Sequence, residues 1–296
     1  MEIKNLDTER RNIKTMNLDT FSAFDICKTM NEEDQNIIQG INKSLAQITK
    51  VVQLAGETLT KQGRIIYLGA GTSGRLGLLD AVECPPTFGV AENLVKGLIA
   101  GGDKAFIKAV EGAEDSESLG IKDLKGEKIT NKDLIIGIAA SGRTPYVIGG
   151  LKYAKEIGAQ TATIAITSNS EIAKYTNNAI EVQVGPEILT GSTRLKAGTA
   201  QKMILNMIST GAMILNGKTY QNLMVDVQQT NQKLIKRAIN IVVEATNCPE
   251  QKAIEVLEQT KGSVKIAIVI ILFNVDVETA KTLLEDAKGF INKINN

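Results

Sequence analysis

Between residues 32 and 184 the apolar positions keep two different rhythms. Ile37, Ile41, Leu45, Ile48, Val52, Ala55 and Leu59 recur at three- and four-residue steps, which predicts one long helix from Glu32 to Gly63. Short unbroken apolar runs then take over: Ile65 to Leu68, Leu94 to Ala100, Asp133 to Ala140, Thr161 to Thr167, and Ala179 to Val184. Bounded by Gly, Ser and Asn, they predict buried strands. Helical spacing returns between them, at Phe106, Ala109 and Val110 within Asp103 to Glu114, and at Val147, Leu151 and Ala154, where Pro145 suits a first helical turn. Strands alternating with helices imply an α/β fold with a five-stranded parallel sheet covered on both faces. A further helix is expected to end near Leu215. From Tyr220 the pattern reads as entirely helical, with a break and cap at Asn247-Cys248-Pro249-Glu250 and later apolar positions at Ile254, Leu257, Ile268, Leu272, Ala280 and Leu284. The expected organisation is a polar N-terminal arm over 1–31, with a short amphipathic segment around Phe21 to Met30; the α/β domain with flanking helices over 32–247; and a small helical subdomain over 248–296.

The ends of the strands carry the candidate chemistry. The first strand runs into Gly69-Ala70-Gly71-Thr72-Ser73-Gly74, which brings amides and two hydroxyls to a helix beginning near Arg75 and outlines a phosphate cradle. The spacing also satisfies a dinucleotide fingerprint, but that fold needs an acid ending the second strand about 20 residues after the glycines. Here the second strand ends in Ala100-Gly101-Gly102, and the loop hydroxyls suit a single phosphate better. Two similar turns follow later strands, Ser141-Gly142-Arg143-Thr144 and the stretch from Ser192-Thr193 to Thr199. One such turn alone is an ordinary helix cap. Three at the carboxyl ends of strands in one parallel sheet favour a phosphosugar pocket, since that edge is where open α/β sheets bind ligands. Asp80 and Glu83 follow the first turn closely. Cys84-Pro85-Pro86 should end the helix there and fix Glu83 at its edge, whereas Glu114 sits in an acidic cluster that surface solvation would also explain.

Composition narrows the chemistry. The 296 residues are 43% hydrophobic, enough for a large core, and 34 Lys+Arg nearly cancel 33 Asp+Glu, so a nucleic-acid partner is not expected. No apolar run approaches about 18 residues and the first twenty residues are polar, so a membrane span and a secretory signal are not expected and the reading is cytoplasmic. Cys27, Cys84 and Cys248 are unclustered and suggest neither disulfides nor a thiolate metal site. Above all, there is no histidine. Histidine-based nucleophilic machinery and histidine metal sites are excluded, and carboxylates lead the candidates for proton transfer.

Four blocks, GAGTSGRLGLLDAVECPPTFG, IAGGDKAFIKAVEGAEDS, IAASGRTPYV and LTGSTRLKAGTAQKMILNM, together closely resemble the bacterial N-acetylmuramic acid 6-phosphate etherases, members of the sugar isomerase (SIS) fold group. The likeness runs from the polar TERRN arm through the C-terminal helices. It implies a single SIS-type domain with a C-terminal helical subdomain, and cleavage of the D-lactyl ether to N-acetylglucosamine 6-phosphate and D-lactate by elimination and water addition, within amino-sugar catabolism and cell-wall recycling. The family's two functional glutamates fall on Glu83 and Glu114. The phosphate is expected among Thr72, Ser73, Gly74, Ser141, Gly142, Arg143 and Thr144, with Ser192 and Thr193 also in play. The route needs two proton-handling groups and no metal, redox cofactor or histidine, and the likeness suggests a homodimer. A phosphosugar isomerase would use the same phosphate turns and a carboxylate base. A non-catalytic sugar-phosphate sensor related to the glucokinase regulatory protein would keep the pocket without turnover.

Overall fold

The computed structural model describes residues 7–108, 110–227 and 232–294. In chain order the elements are α1 (Ala23–Lys43), α2 (Leu45–Thr60), β1 (Ile65–Gly69), α3 (Gly71–Phe88), β2 (Val95–Ile99), α4 (Lys104–Ile107), α5 (Glu117–Gly126), β3 (Leu134–Ile138), α6 (Pro145–Glu156), β4 (Gln160–Ala165), β5 (Ala179–Glu181), α7 (Lys196–Ile214), β6 (Thr219–Tyr220), β7 (Leu223–Met224), α8 (Gln232–Thr246), α9 (Glu250–Gln259), α10 (Val264–Phe273) and α11 (Val277–Asp286). The five apolar runs are the strands of one parallel sheet, in order β2-β1-β3-β4-β5. Every residue of β1 and of β3 is buried, as a sheet covered on both faces requires. Ile66, Leu68 and Ile135 pack with Leu124 of α5 and Val147 and Leu151 of α6. Tyr67 points the other way, and its hydroxyl donates to Asp80 Oδ2 of α3 at 2.9 Å while Ser209 Oγ of α7 donates to Oδ1 at 3.0 Å. Asp80, read in the sequence as an acid near the phosphate turn, is thus a tie between β1, α3 and α7. Among the described residues no helix is long and apolar enough to cross a membrane.

Several local expectations are corrected. The long helix from Glu32 is two helices, and the first begins inside the expected arm, at Ala23, where Ser22 Oγ accepts from the Asp25 amide. The break falls at Ser44, whose hydroxyl donates to the Glu181 carbonyl of β5 at 2.8 Å; apolar spacing carries across such a break unchanged. The helix expected over Asp103 to Glu114 is the single turn α4. The Arg75 guanidinium takes the carbonyls of Ala105 and Phe106, both at 2.8 Å, the carbonyls a longer helix would give to residues 109 and 110. Ala109 lies outside the described residues. The helix through Glu83 does not stop at Pro85-Pro86 but runs to Phe88, where Gly89 donates to the Pro85 carbonyl at 2.9 Å. The prolines withhold the amides that would bond the carbonyls of Ala81 and Val82.

Contacts gather the chain into two units, one from the described part of Met1–Val82 with Asn93–Ser209, the other from Glu83–Glu92 with the described part of Thr210–Asn296. By contacts the helical unit thus joins Glu83–Glu92 to the described residues from Thr210 onward, a wider grouping than the 248–296 subdomain read from the sequence. It contains the antiparallel pair β6–β7 where the sequence reads as wholly helical, because two-residue strands are too short to leave a period. Its core joins Val225, Ala238 and Val242 to Val256, Leu257, Ile268, Val269, Ala280 and Leu284. The break before Glu250 is present, α8 ending at Thr246 and α9 starting at Glu250.

Candidate active site

After β1 the chain builds β2 on one side, then returns to build β3 on the other. The loops leaving β1 and β3 therefore diverge at the carboxyl end of the sheet, the place where this strand order leaves a crevice. A cavity of about 480 Å³ fills it. Gly71, Thr72 and Ser73 line it from the first loop, Ser141, Arg143 and Thr144 from the second, and Glu9, Glu114 and Thr193 complete the polar wall.

The first loop is the start of α3. Gly74 donates to Ala70 O at 3.1 Å, so the amides of Gly71, Thr72 and Ser73 precede the first intrahelical bond and are available to an anion. Gly74 itself is not a lining residue. A Cβ there would lie 2.7 Å from both the Gly69 carbonyl oxygen and an Ile99 side-chain carbon, so it is needed for close packing of α3 on the sheet. Ser73 is buried and donates through Oγ to Gln201 Oε1 at 2.9 Å.

The second loop holds a carboxylate. Thr144, buried just before Pro145 at the first position of α6, donates through Oγ1 to Glu114 Oε1 at 3.2 Å, and the Tyr146 amide bonds the Glu114 carbonyl at 3.0 Å. Glu114 is thereby pinned by side chain and backbone to the helix start opposite α3. Gly142 shapes the turn, with φ of 69° and no room for a Cβ against Ser170. The sequence placed Thr144 and Gly142 with the phosphate ligands; the Thr144 hydroxyl bonds Glu114, while the Gly142 amide donates to the Ala139 carbonyl within the turn and its carbonyl accepts from the Ile172 amide, both at 3.0 Å.

The third stretch is divided. Thr193 faces the cavity, but Ser192 is not among its lining residues. The start of α7 is taken by an internal anion: Glu187, 1% exposed, accepts from the Lys196 amide at 3.0 Å and the Ala197 amide at 2.9 Å. Burial pushes its carboxyl above the ordinary range, while the two amides oppose the shift. Lys196, also 1% exposed, donates to Glu33 Oε2 at 2.8 Å. Asn12 Nδ2 and Lys14 Nζ bond the same carboxylate at 2.9 and 2.8 Å. Burial alone would raise Glu33, yet these bonds and the Lys196 charge bring it from 4.5 down to about 2. Thr15 adds a 2.8 Å bond to the Ile188 carbonyl. The described arm is thus tied along the 185–196 loop, and it carries Glu9 to the cavity. A Cβ at Gly191 would come 3.3 Å from the Glu9 carboxylate. Glu9 was not found by sequence reasoning, because one acid in a polar terminus has no periodic or turn signature; its one signal is its place in the TERRN stretch where the family likeness begins, which names no role for it.

Glu83 belongs to the other unit. Its side chain is exposed, ten residues beyond Ser73 on the same helix, a rise of roughly 15 Å.

Residues 46–155 match the glucokinase regulatory protein N-terminal SIS domain, residues 117–210 the SIS domain, and residues 221–264 the C-terminal lid domain of glucokinase regulatory protein. A solved phosphoheptose isomerase from Francisella tularensis is 15% identical with a TM-score of 0.50, covering 66% of this chain and 100% of that one, which shows the fold alone. Proteins from Bacillus cereus and Bacillus mycoides, each called N-acetylmuramic acid 6-phosphate etherase, are both 57% identical over 291 residues, 98% of this chain and 99% of theirs. With relatives this similar along nearly its whole length, the chain belongs to the N-acetylmuramic acid 6-phosphate etherase family.

Proposed function

We propose that this protein cleaves the D-lactyl ether of N-acetylmuramic acid 6-phosphate, yielding N-acetylglucosamine 6-phosphate and D-lactate. The observation that carries the reading is the cavity between β1 and β3, where a helix start with available amides faces a pinned carboxylate. The phosphate binds the amides of Gly71 to Ser73 with the hydroxyls of Thr72, Ser73 and Ser141 and the charge of Arg143. Thr144 directs its hydroxyl proton to Glu114 and so positions that carboxylate. In the open-chain sugar the C2 proton is acidified by the C1 aldehyde. Its removal expels the C3 lactyl oxygen, which takes a proton as it leaves, and water then adds at C3 of the unsaturated aldehyde. Glu83 serves as the acid at the leaving oxygen and Glu114 as the group acting on the C2 proton or the added water. Holding phosphate at a fixed distance from C2 and C3 orients the bonds that react.

Glu83 comes to this pocket from a second copy of the chain. The roughly 15 Å of helix between Ser73 and Glu83 exceeds the span from a bound phosphate to C3 of the same sugar, and Leu79 and Val82, just before Glu83, are exposed apolar residues of the kind an interface covers. The enzyme works as a homodimer in the cytoplasm, where a charged phosphosugar is retained, in amino-sugar catabolism and cell-wall recycling.

Run in heavy-oxygen water, the reaction is expected to place label at C3 of the sugar and none in the lactate hydroxyl. Phosphosugar binding with no D-lactate released would overturn the reading and leave a sugar-phosphate binding protein. Glu83→Gln and Glu114→Gln are each expected to be inactive, and mixing them under exchange should restore roughly a quarter of the activity, because random pairing makes half the dimers mixed and each mixed dimer has one intact site. No recovery in mixed dimers would return Glu83 to its own chain's site.

A further inference from the structure

Gln201 on α7 is 0% exposed. It accepts the Ser73 hydroxyl proton at Oε1, yet its Nε2 has no hydrogen-bond partner among the described residues. A primary amide offers two N–H groups, and leaving them buried and unpaired carries a desolvation cost that native side chains seldom bear without a reason. The neighbouring hydroxyl has the matching defect. Ser73 lines the cavity, but its one proton points away from it, so an arriving phosphate, itself only an acceptor, would meet a lone pair.

One pair of rotations removes both defects. We propose that Gln201 is a positioning residue of the phosphosugar site: when phosphate binds, the Ser73 hydroxyl turns toward it, and the Gln201 amide turns about its last torsion to donate an N–H to the vacated Ser73 oxygen. The proposal rests on the placement of phosphate at the start of α3. No proton changes owner and no bond is made or broken; two hydrogen bonds replace one. The amide carbonyl moves to where the unpaired N–H was, and an under-satisfied carbonyl is the better tolerated of the two. The orphaned N–H of the empty site is then a stored donor that ligand binding puts to use. Leucine or methionine at 201 would pack the same space but could not support the turned hydroxyl, and glutamate would hold the Ser73 proton permanently.

The test uses the purified full chain and two probes, N-acetylglucosamine 6-phosphate and inorganic phosphate. Gln201→Met is expected to melt at the wild-type temperature or above, because it removes a buried orphan, while binding both probes about 10-fold more weakly and raising KM with kcat unchanged. In a Ser73→Ala background the same substitution should change affinity less than 2-fold. Gln201→Glu should weaken binding further, by about 100-fold, since it adds a buried negative charge beside the phosphate. Wild-type affinity in Gln201→Met, or a loss that keeps its full size in Ser73→Ala, would overturn the proposal. Should Gln201→Met fail to fold, wild-type affinity in Gln201→Glu does the same. A wild-type protein that binds neither probe would instead sink the underlying phosphate reading.

Discussion

The starts of α3 and α7 grow from loops of similar composition, GAGTSG and LTGSTR, and end in opposite states. At α3 the first amides open on the cavity with Thr72 beside them. At α7 the equivalent amides are filled by Glu187, and the first side chain, Lys196, is neutralised by Glu33. A helix start is an anion site by default because its amides lack intrahelical partners and its dipole is positive. Which start receives a ligand is decided by whether the fold already supplies the anion. Gly198 shows how close the two lie: a Cβ there would be 3.4 Å from Thr72 Cγ2. Without Glu187 the α7 amides would offer a second anion site beside the one proposed for the substrate's phosphate.

The closed start should be the fragile one. Glu33→Gln leaves the Lys196 ammonium buried without its counter-charge, and is expected to cost about 3–5 kcal/mol in urea unfolding at neutral pH. Adding Lys196→Met should restore most of that, and a loss below about 1 kcal/mol for the single change would mean the pair holds nothing together. The same carboxylate gives a pH signature. Its ordinary value of 4.5 falls to about 2 in the fold, so its contribution is complete above pH 4.5 and disappears as the pH drops from there to about 2, amounting to roughly 3 kcal/mol. Glu187 moves the other way: with its pKa raised by burial, ionisation of its carboxyl opposes folding, so acidification favours the fold at that site. Comparing wild type with Glu33→Gln at pH 6 and pH 3 isolates the Glu33 part, which the variant should lack.

A middle-sized effect is expected from emptying the closed start. Glu187→Ala removes two hydrogen bonds to buried amides and should cost about 2–3 kcal/mol, less than their gross strength because the buried charge goes as well. It should also create a new anion site. Sulfate is then expected to recover part of the loss, stabilising the variant more than it stabilises wild type. Equal sulfate responses in the two proteins would show that the α7 amides find another partner, and would remove the contrast between the helix starts.

The sequence could announce the three turns but not this difference. Apolar runs and Pro145 place the strands and α6 because those signals are local: burial on both faces demands continuous apolar residues, and proline fits a first helical turn. The pairing of Lys196 with Glu33 spans 163 residues and leaves no trace in periodicity. Glu187 lies nine residues before Lys196 and reads as one more loop acid. Likewise Ser44 breaks α1 from α2 through a bond to β5 that no helical repeat reports, and Arg75 ends α4 from 30 residues away. The lining hydroxyls Thr72, Ser73, Ser141, Thr144 and Thr193 were legible as turn chemistry, and Glu114 through family resemblance. Glu9 was not, since what brings it to the cavity is the arm's long-range anchoring at Glu33 and Ile188.

The smallest change in stability is expected at the open start, and it sharpens the comparison most. Thr72 sits on the cavity wall in the first turn of α3, so Thr72→Val keeps the branched shape and removes only the hydroxyl. With no buried partner given up, unfolding free energy should move by no more than about 0.5 kcal/mol. The hydroxyl is one of the donors proposed for the phosphate, and a single bond to a charged acceptor is worth about 1.5 kcal/mol, so KM should rise roughly 10-fold with kcat nearly unchanged, the phosphate being remote from the bonds that react. The opposite pattern, a destabilised protein with an unaltered KM, would place Thr72 in the structural role that Glu187 fills at α7. The two helix starts would then no longer differ in kind, and the phosphate would have to be sought on the Ser141–Arg143 side of the cavity alone.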